Sequence, residues 1–249
     1  MSRFMVSATW DDVPHLSQKQ KDELWAGIPV HEREARAKGI PVLGSGRIFP
    51  VDEASITVPM FPIERHWPML GALDFGWDHP TAAVKLAWDR DNDCVYVVNV
   101  YRVREAIPLI HAAALKAWGD WMPWAWPHDG LQHSKDSGVA LADQYRKHGL
   151  KLMIEHAKYP DGSTGVEAGL MDMLDRMQTG RFKVFSHLND WFSEFRLYHR
   201  KDGKVVKESD DLMSATRYGI MCLSQAATQP EELDRYARQR RSRGGWMSA

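Results

Sequence analysis

MLGALDFG (residues 69–76), TAAVKLAW (81–88) and CVYVVNVYRV (94–103) are three apolar runs separated only by the turn-prone WDHP and DRDND. Such a succession predicts a three-stranded antiparallel meander. Downstream the pattern changes. Residues 107–121 carry apolar side chains at helical spacing, and WAWPHD (124–129) is a short apolar run that ends in an acid. Residues 137–148 read as a helix with Gly149 as its C-cap, LKLMIE (150–155) as a strand, and residues 165–177 as a helix that stops near Gly180. RFKVFS (181–186) reads as a strand, 188–199 as a helix, KDGK (201–204) as a hairpin-like turn and 211–224 as a closing helix.

A meander that feeds alternating helices and strands predicts an α/β fold with a mixed sheet and helices on both faces, the RNase H-like topology. Upstream, residues 17–23 offer an N-cap and charged helix formers, and 28–38 can make a second short helix. Gly39, Pro41, Gly44, Gly46, Pro50, Pro59, Pro62 and Pro68 then interrupt the chain. The expected organisation is a linker or helical remnant over 1–64, the main domain over 65–226, and a tail over 227–249. That tail carries Arg235, Arg238, Arg240, Arg241 and Arg243 and is expected to be a mobile basic end.

Composition narrows the class. Hydrophobic residues make up 44% and charged residues 26% of 249, enough for a sizeable core. The two cysteines, Cys94 and Cys222, lie in apolar stretches and support neither a disulfide framework nor a zinc ribbon. No apolar run approaches a membrane span and the N-terminus lacks a signal-peptide profile, so an intracellular protein without a membrane partner is expected. A net charge of −1 excludes a uniformly basic coat and leaves room for local basic patches. The 11 tryptophans fall in strand and helix patterns, which favours packing over base stacking.

The chemistry lies in the acids. Asp74 ends a strand expected to be buried on both faces, where a carboxylate is costly unless a cation compensates. Asp129 follows WAWPH, and Asp210 and Asp211 open the last helix. Singly, Asp129 can be a turn residue before Gly130, and Ser209 or Asp210 can cap the helix. In the expected topology the three positions converge at one sheet edge, as a two-metal phosphodiesterase site requires. Asp74, Asp129 and Asp211 are the candidate catalytic acids, and Asp74, Asp129, Asp210 and Asp211 the candidate ligands of two Mg²⁺ or Mn²⁺ ions. Under this reading one ion activates water and the other stabilises the leaving 3′ oxygen. Asp78, His133 and Lys135 are auxiliary candidates; for His128 and Arg217 a structural role is favoured over a catalytic one. GIPVLGSG (39–46) has phosphate-loop glycine spacing but Gly46 where lysine is needed, so ATP hydrolysis is not expected. GxSxG, HExxH and paired CxxC motifs do not occur.

GALDFGWDHPTAAV, WPHDGLQHSKDSG, GVEAGLMDMLDRMQTGRFKVFSHLNDWFSEFRLYHRKDGK and SDDLMSATRYG together resemble the C-terminal nuclease domain of the large terminase subunit of tailed double-stranded DNA phages, headful-packaging type. The resemblance implies a metal-dependent endonuclease that cuts concatemeric double-stranded viral DNA in the host cytoplasm. It also implies that SATWDDVPHLS and GSGRIFPV continue from an ATPase region whose Walker motifs are absent here, as in an excised or truncated product. Asp74 and Asp129 match the family's catalytic positions, with Asp210, Asp211 or both as the third. Small terminase subunit and portal protein are the partners implied for a full-length member, the arginine-rich end being the candidate portal contact. The rival readings are a resolvase- or transposase-type RNase H-like nuclease and a non-enzymatic DNA-packaging adaptor.

Overall fold

The computed structural model describes residues 9–28, 33, 36–37, 46–133, 138–159 and 161–231. Most of the second short helix, most of the GIPVLGSG loop, Lys135 and the arginine-rich segment beyond 231 lie outside them. Its helices are α1 (Gln18–Gly27), α2 (Glu53–Ile56), α3 (Pro108–Lys116), α4 (Leu141–Lys147), α5 (Val166–Gln178), α6 (Asn189–Leu197) and α7 (Asp211–Met221). The strands are β1 (Thr57–Val58), β2 (Met69–Asp74), β3 (Thr81–Asp89), β4 (Cys94–Val103), β5 (Trp124–Ala125), β6 (Phe182–Phe185), β7 (Arg200–Lys201) and β8 (Lys204–Val205). Six of them form one mixed sheet in the order β1-β6-β4-β3-β2-β5, and β7-β8 is a separate hairpin.

The meander forms as its pattern predicts. β2 pairs antiparallel with β3 and β3 with β4, and β5 runs parallel to β2. Helices cover both faces. Gly219 of α7 sits over Ala72 and Leu86, and a Cβ there would lie 2.5 Å from Leu86 Cδ1 and 3.2 Å from Ala72 Cβ. Glycine therefore lets α7 approach the sheet more closely than any other residue could. On the other face α3 places His111 Nδ1 2.8 Å from the Tyr101 hydroxyl. Trp124 and Trp126 are buried in this core, as expected for packing, whereas Trp77 is exposed.

Two expectations need correction. LKLMIE is no strand; only Leu152 bridges Trp124, and Ile154 is 94% exposed. Arg146 of α4 instead hydrogen-bonds the Met153 carbonyl and that of Ile154, satisfying backbone that a strand partner would otherwise hold. WAWPHD supplies only a two-residue strand, after which Pro127, which has no N–H to donate to a ladder, leads into a 3-10 turn at His128–Leu131. The segment before residue 65 contributes to the main body: Phe49 and Ile56 are fully buried, and β1 is the edge strand beside β6. Phe49 stacks on Phe195 with ring centroids 6.1 Å apart. The prolines and glycines in this stretch signalled irregular backbone, and irregular backbone can still be core.

Candidate metal centre

Strand register builds the first part of the site. Asp74 stands opposite Ala82 on β3, and Ala82 stands opposite Arg102 on β4. The three form a row across adjacent strands. Side chains alternate along a strand, so Asp74 shares its face with Ala72, which is the face α7 covers. Asp74 therefore meets the start of α7.

Asp210 occupies the N-cap position of α7 and Asp211 its first helical position, yet the Asp210 side chain makes no capping bond. The cap comes from another helix. Glu194 Oε2 on α6 accepts hydrogen bonds from the backbone N–H groups of Leu212 at 2.7 Å and Met213 at 3.3 Å. The expected division of labour, in which Ser209 or Asp210 caps the helix, is thus corrected. Glu194 leaves both aspartates free of that task, and Asp210 instead takes a long hydrogen bond of 3.4 Å from the Ser214 hydroxyl.

Asp129 arrives on the 3-10 turn beyond β5 and is exposed. Gly130 explains its position. A Cβ there would come within 2.5 Å of the Trp126 ring and 2.8 Å of the Phe75 ring. A bare glycine lets the turn close against Phe75, the neighbour of Asp74. Asp74, Asp129, Asp210 and Asp211 thereby line one open cleft of about 700 Å³, together with Arg217 and Tyr218 of α7 and Lys204 and Lys207 at the hairpin.

The electrostatics record the crowding. Burial pushes the Asp74 carboxyl up to about 8; Asp211, Asp210 and Asp129 add to the rise, and Arg217 opposes it. Burial and the neighbouring Asp211 also raise Asp210. Carboxylate oxygens are the donors a hard divalent cation takes, so the four acids fit Mg²⁺ or Mn²⁺ in chemical type. No three His, Cys, Asp or Glu side chains among the described residues stand close enough, as placed, to hold a metal ion. The acids line a shared cleft.

The auxiliary residues are more scattered. Asp78 is exposed in the turn after β2 and does not line the cleft, whereas its neighbour His79 does. His133 is exposed, bridges Ala140 and is not among the cleft-lining residues, and Lys135 lies outside the described residues. The His128 ring packs edge-on against His156, centroids 5.0 Å apart. Sequence reasoning missed Arg102, Glu194, His79 and Lys207. A signal existed for two of them: Arg102 is the one charge in CVYVVNVYRV, and Glu194 interrupts the apolar face of a helix that buries Trp191, Phe192 and Phe195.

Residues 71–223 match the family described as Terminase RNaseH-like domain, and residues 2–56 match the N-terminal part of terminase large subunits of T4likevirus type. The large terminase subunit of Salmonella phage P22 is 45% identical over 221 residues, covering 88% of this chain and 44% of that protein. That of Enterobacteria phage LP7 is likewise 45% identical, covering 88% and 46%. The chain thus spans a little under half the length of these relatives. The structure of the P22 large terminase nuclease domain superposes with a TM-score of 0.69 at 43% identity, over 74% of this chain and 95% of that one. The large terminase of a thermophilic bacteriophage, solved in complex with ADP, shares the fold at 18% identity, with a TM-score of 0.57 over 85% of this chain and 53% of that one.

Proposed function

Because the chain belongs to the terminase RNase H-like domain family of phage large terminase subunits, we propose that it is a divalent-metal-dependent endonuclease that cuts concatemeric double-stranded viral DNA during headful genome packaging. The observation that carries this reading is the convergence of Asp74, Asp129, Asp210 and Asp211, from three separate segments, on one cleft. Mg²⁺ or Mn²⁺, two ions in this reading, would be held by Asp74, Asp129, Asp210 and Asp211 and would supply a water nucleophile at neutral pH and charge stabilisation for the leaving oxygen.

The chain's own residues do the rest. Asp74, Asp129 and Asp211 act as the catalytic acids, with Asp210 as a further ligand. Asp74 sits where desolvation and the neighbouring acids penalise its anion, and a cation sharing its site would favour that anion. Lys204 and Lys207, exposed on the rim, can take phosphates of the approaching duplex without reading its bases. Asp78, His133 and Lys135 are auxiliary candidates in this reading. The setting is the host cytoplasm. In a full-length relative the small terminase subunit and the portal protein are the expected partners, with residues 1–64 leading in from the motor and the basic segment after 226 facing the portal.

The test is cleavage of linear and supercoiled plasmid by wild type, D74A and D129A in Mg²⁺ or Mn²⁺. Wild type should cut and both variants should not; metal-dependent cutting by purified D74A/D129A would end the assignment. A preference for branched DNA over linear duplex would point to a resolvase.

A further inference from the structure

The row Asp74–Ala82–Arg102 contains a cation that the proposed reaction does not use. Arg102 Nη2 donates to Asp211 Oδ2 at 3.3 Å, and Arg102 Nε lies 3.0 Å from Glu194 Oε1. The second contact is close without the alignment of a hydrogen bond, so it is an ion pair held by charge. Glu194 is 2% exposed and spends its other oxygen on the α7 N-terminus. One guanidinium thus ties a strand (β4), a helix (α6) and the first turn of α7 to one another. Ala82, fully buried between Arg102 and Asp74, keeps the row low enough for the helix start to sit above it.

We propose that Arg102 and Glu194 are positioning residues that set the direction of the Asp211 carboxylate: Arg102, itself fixed by Glu194, holds one oxygen and turns the other to the cleft. This rests on the metal-dependent reading of the cleft. Asp210 lacks such a holder. Its long hydrogen bond from Ser214 joins two half-buried groups one helical turn apart. Asp211 is therefore the oriented ligand of the pair and Asp210 the adjustable one. Outer partners of this kind fix ligand geometry, and their loss weakens metal binding or activity about 10- to 100-fold.

Charge alone predicts the opposite sign for one variant, which makes the idea testable. Removing Arg102 takes a positive charge away from a cation site, so simple Coulomb attraction would strengthen metal binding in R102M. The measurement is calorimetric titration of MnCl₂ into the full chain without DNA, with melting of the metal-free protein in parallel. R102M should bind Mn²⁺ about 10- to 100-fold more weakly than wild type. R102K keeps the charge but lacks the planar fork that spans two carboxylates, and it should also bind more weakly. E194Q keeps an acceptor for Leu212 and Met213, so it should melt close to wild type while still losing metal affinity. Wild-type or tighter binding in R102M, or unchanged binding in R102K or E194Q, would overturn the proposal. Wild-type protein that bound no Mn²⁺ would overturn the metal-dependent reading as well, which separates the two failures.

Discussion

Two clusters of aspartates sit at opposite ends of β3, and they are built on different charge logic. At the β3–β4 turn, Asp93 accepts from Trp88 Nε1 at 3.0 Å, Arg176 Nη1 at 3.2 Å and Arg181 Nη1 at 2.7 Å. Asp172 and Asp175 complete the network on the same two arginines. Burial pushes the Asp93 carboxyl up, but the hydrogen bonds from Arg181, Trp88 and Arg176 outweigh it and its pKa falls below normal. At the other end, Asp74, Asp129, Asp210 and Asp211 share a cleft with Arg217, while Arg102 is divided between Asp211 and Glu194. There the Asp74 carboxyl rises to about 8, chiefly from burial. The first cluster binds its acids directly to its own arginines, whereas at the second burial and neighbouring acids leave the Asp74 carboxyl raised.

The largest expected effect that tests this contrast is on cleavage. D74A should reduce plasmid cutting to below about one-hundredth of wild type, while D93N, on the matched side, should leave it unchanged. Equal losses in both would erase the distinction. Next comes ligand-linked stability: Mn²⁺ at 100 times its dissociation constant should stabilise wild type by about 2.7 kcal/mol and D74A/D129A by almost nothing, read from melting curves.

The third prediction is a pH trend. Burial moves the Asp74 carboxyl from 3.8 to about 8 on folding. The native group keeps a proton that the unfolded chain gives up, so its contribution is complete below about pH 4 and disappears as pH rises to about 8. Metal-free melting temperature, corrected for the trend in D74N, should therefore fall across that window, and saturating Mn²⁺ should oppose the fall. A contribution that rises with pH would show that the acids are already neutralised from within. The smallest effect belongs to D93N, about 1 kcal/mol or less of destabilisation in a denaturant titration, because its ion pairs are partly exposed.

The meander and the acid that ends its first strand were legible because local pattern and burial coincide there: β2 is short, apolar and interrupted only by Asp74. The convergence of the other acids was legible as topology, since β5 does run parallel to β2. What escaped depended on long-range partners. LKLMIE has strand composition, but nothing extends its pairing with Trp124 beyond one bridge. The α7 cap belongs to Glu194, eighteen residues upstream of the N–H it accepts, and no window around Asp210 contains it. Phe49 and Ile56 are core because β6 and α6 come back to cover them, in a stretch read as a linker or helical remnant.

One pairing gives β2 a second duty. Ala227 and Met69 exchange backbone hydrogen bonds of 2.7 and 3.1 Å, so the chain beyond α7 is clamped to the end of β2 away from Asp74. At about 3.3 Å per residue the two ends of that strand are roughly 17 Å apart. The strand is an axle with the acid at one hub and the chain's point of departure at the other. A pull on the downstream segment would load both the C-terminal end of α7 and the Met69 hub, the end far from Asp74 of a strand whose middle, Leu70 to Leu73, is buried.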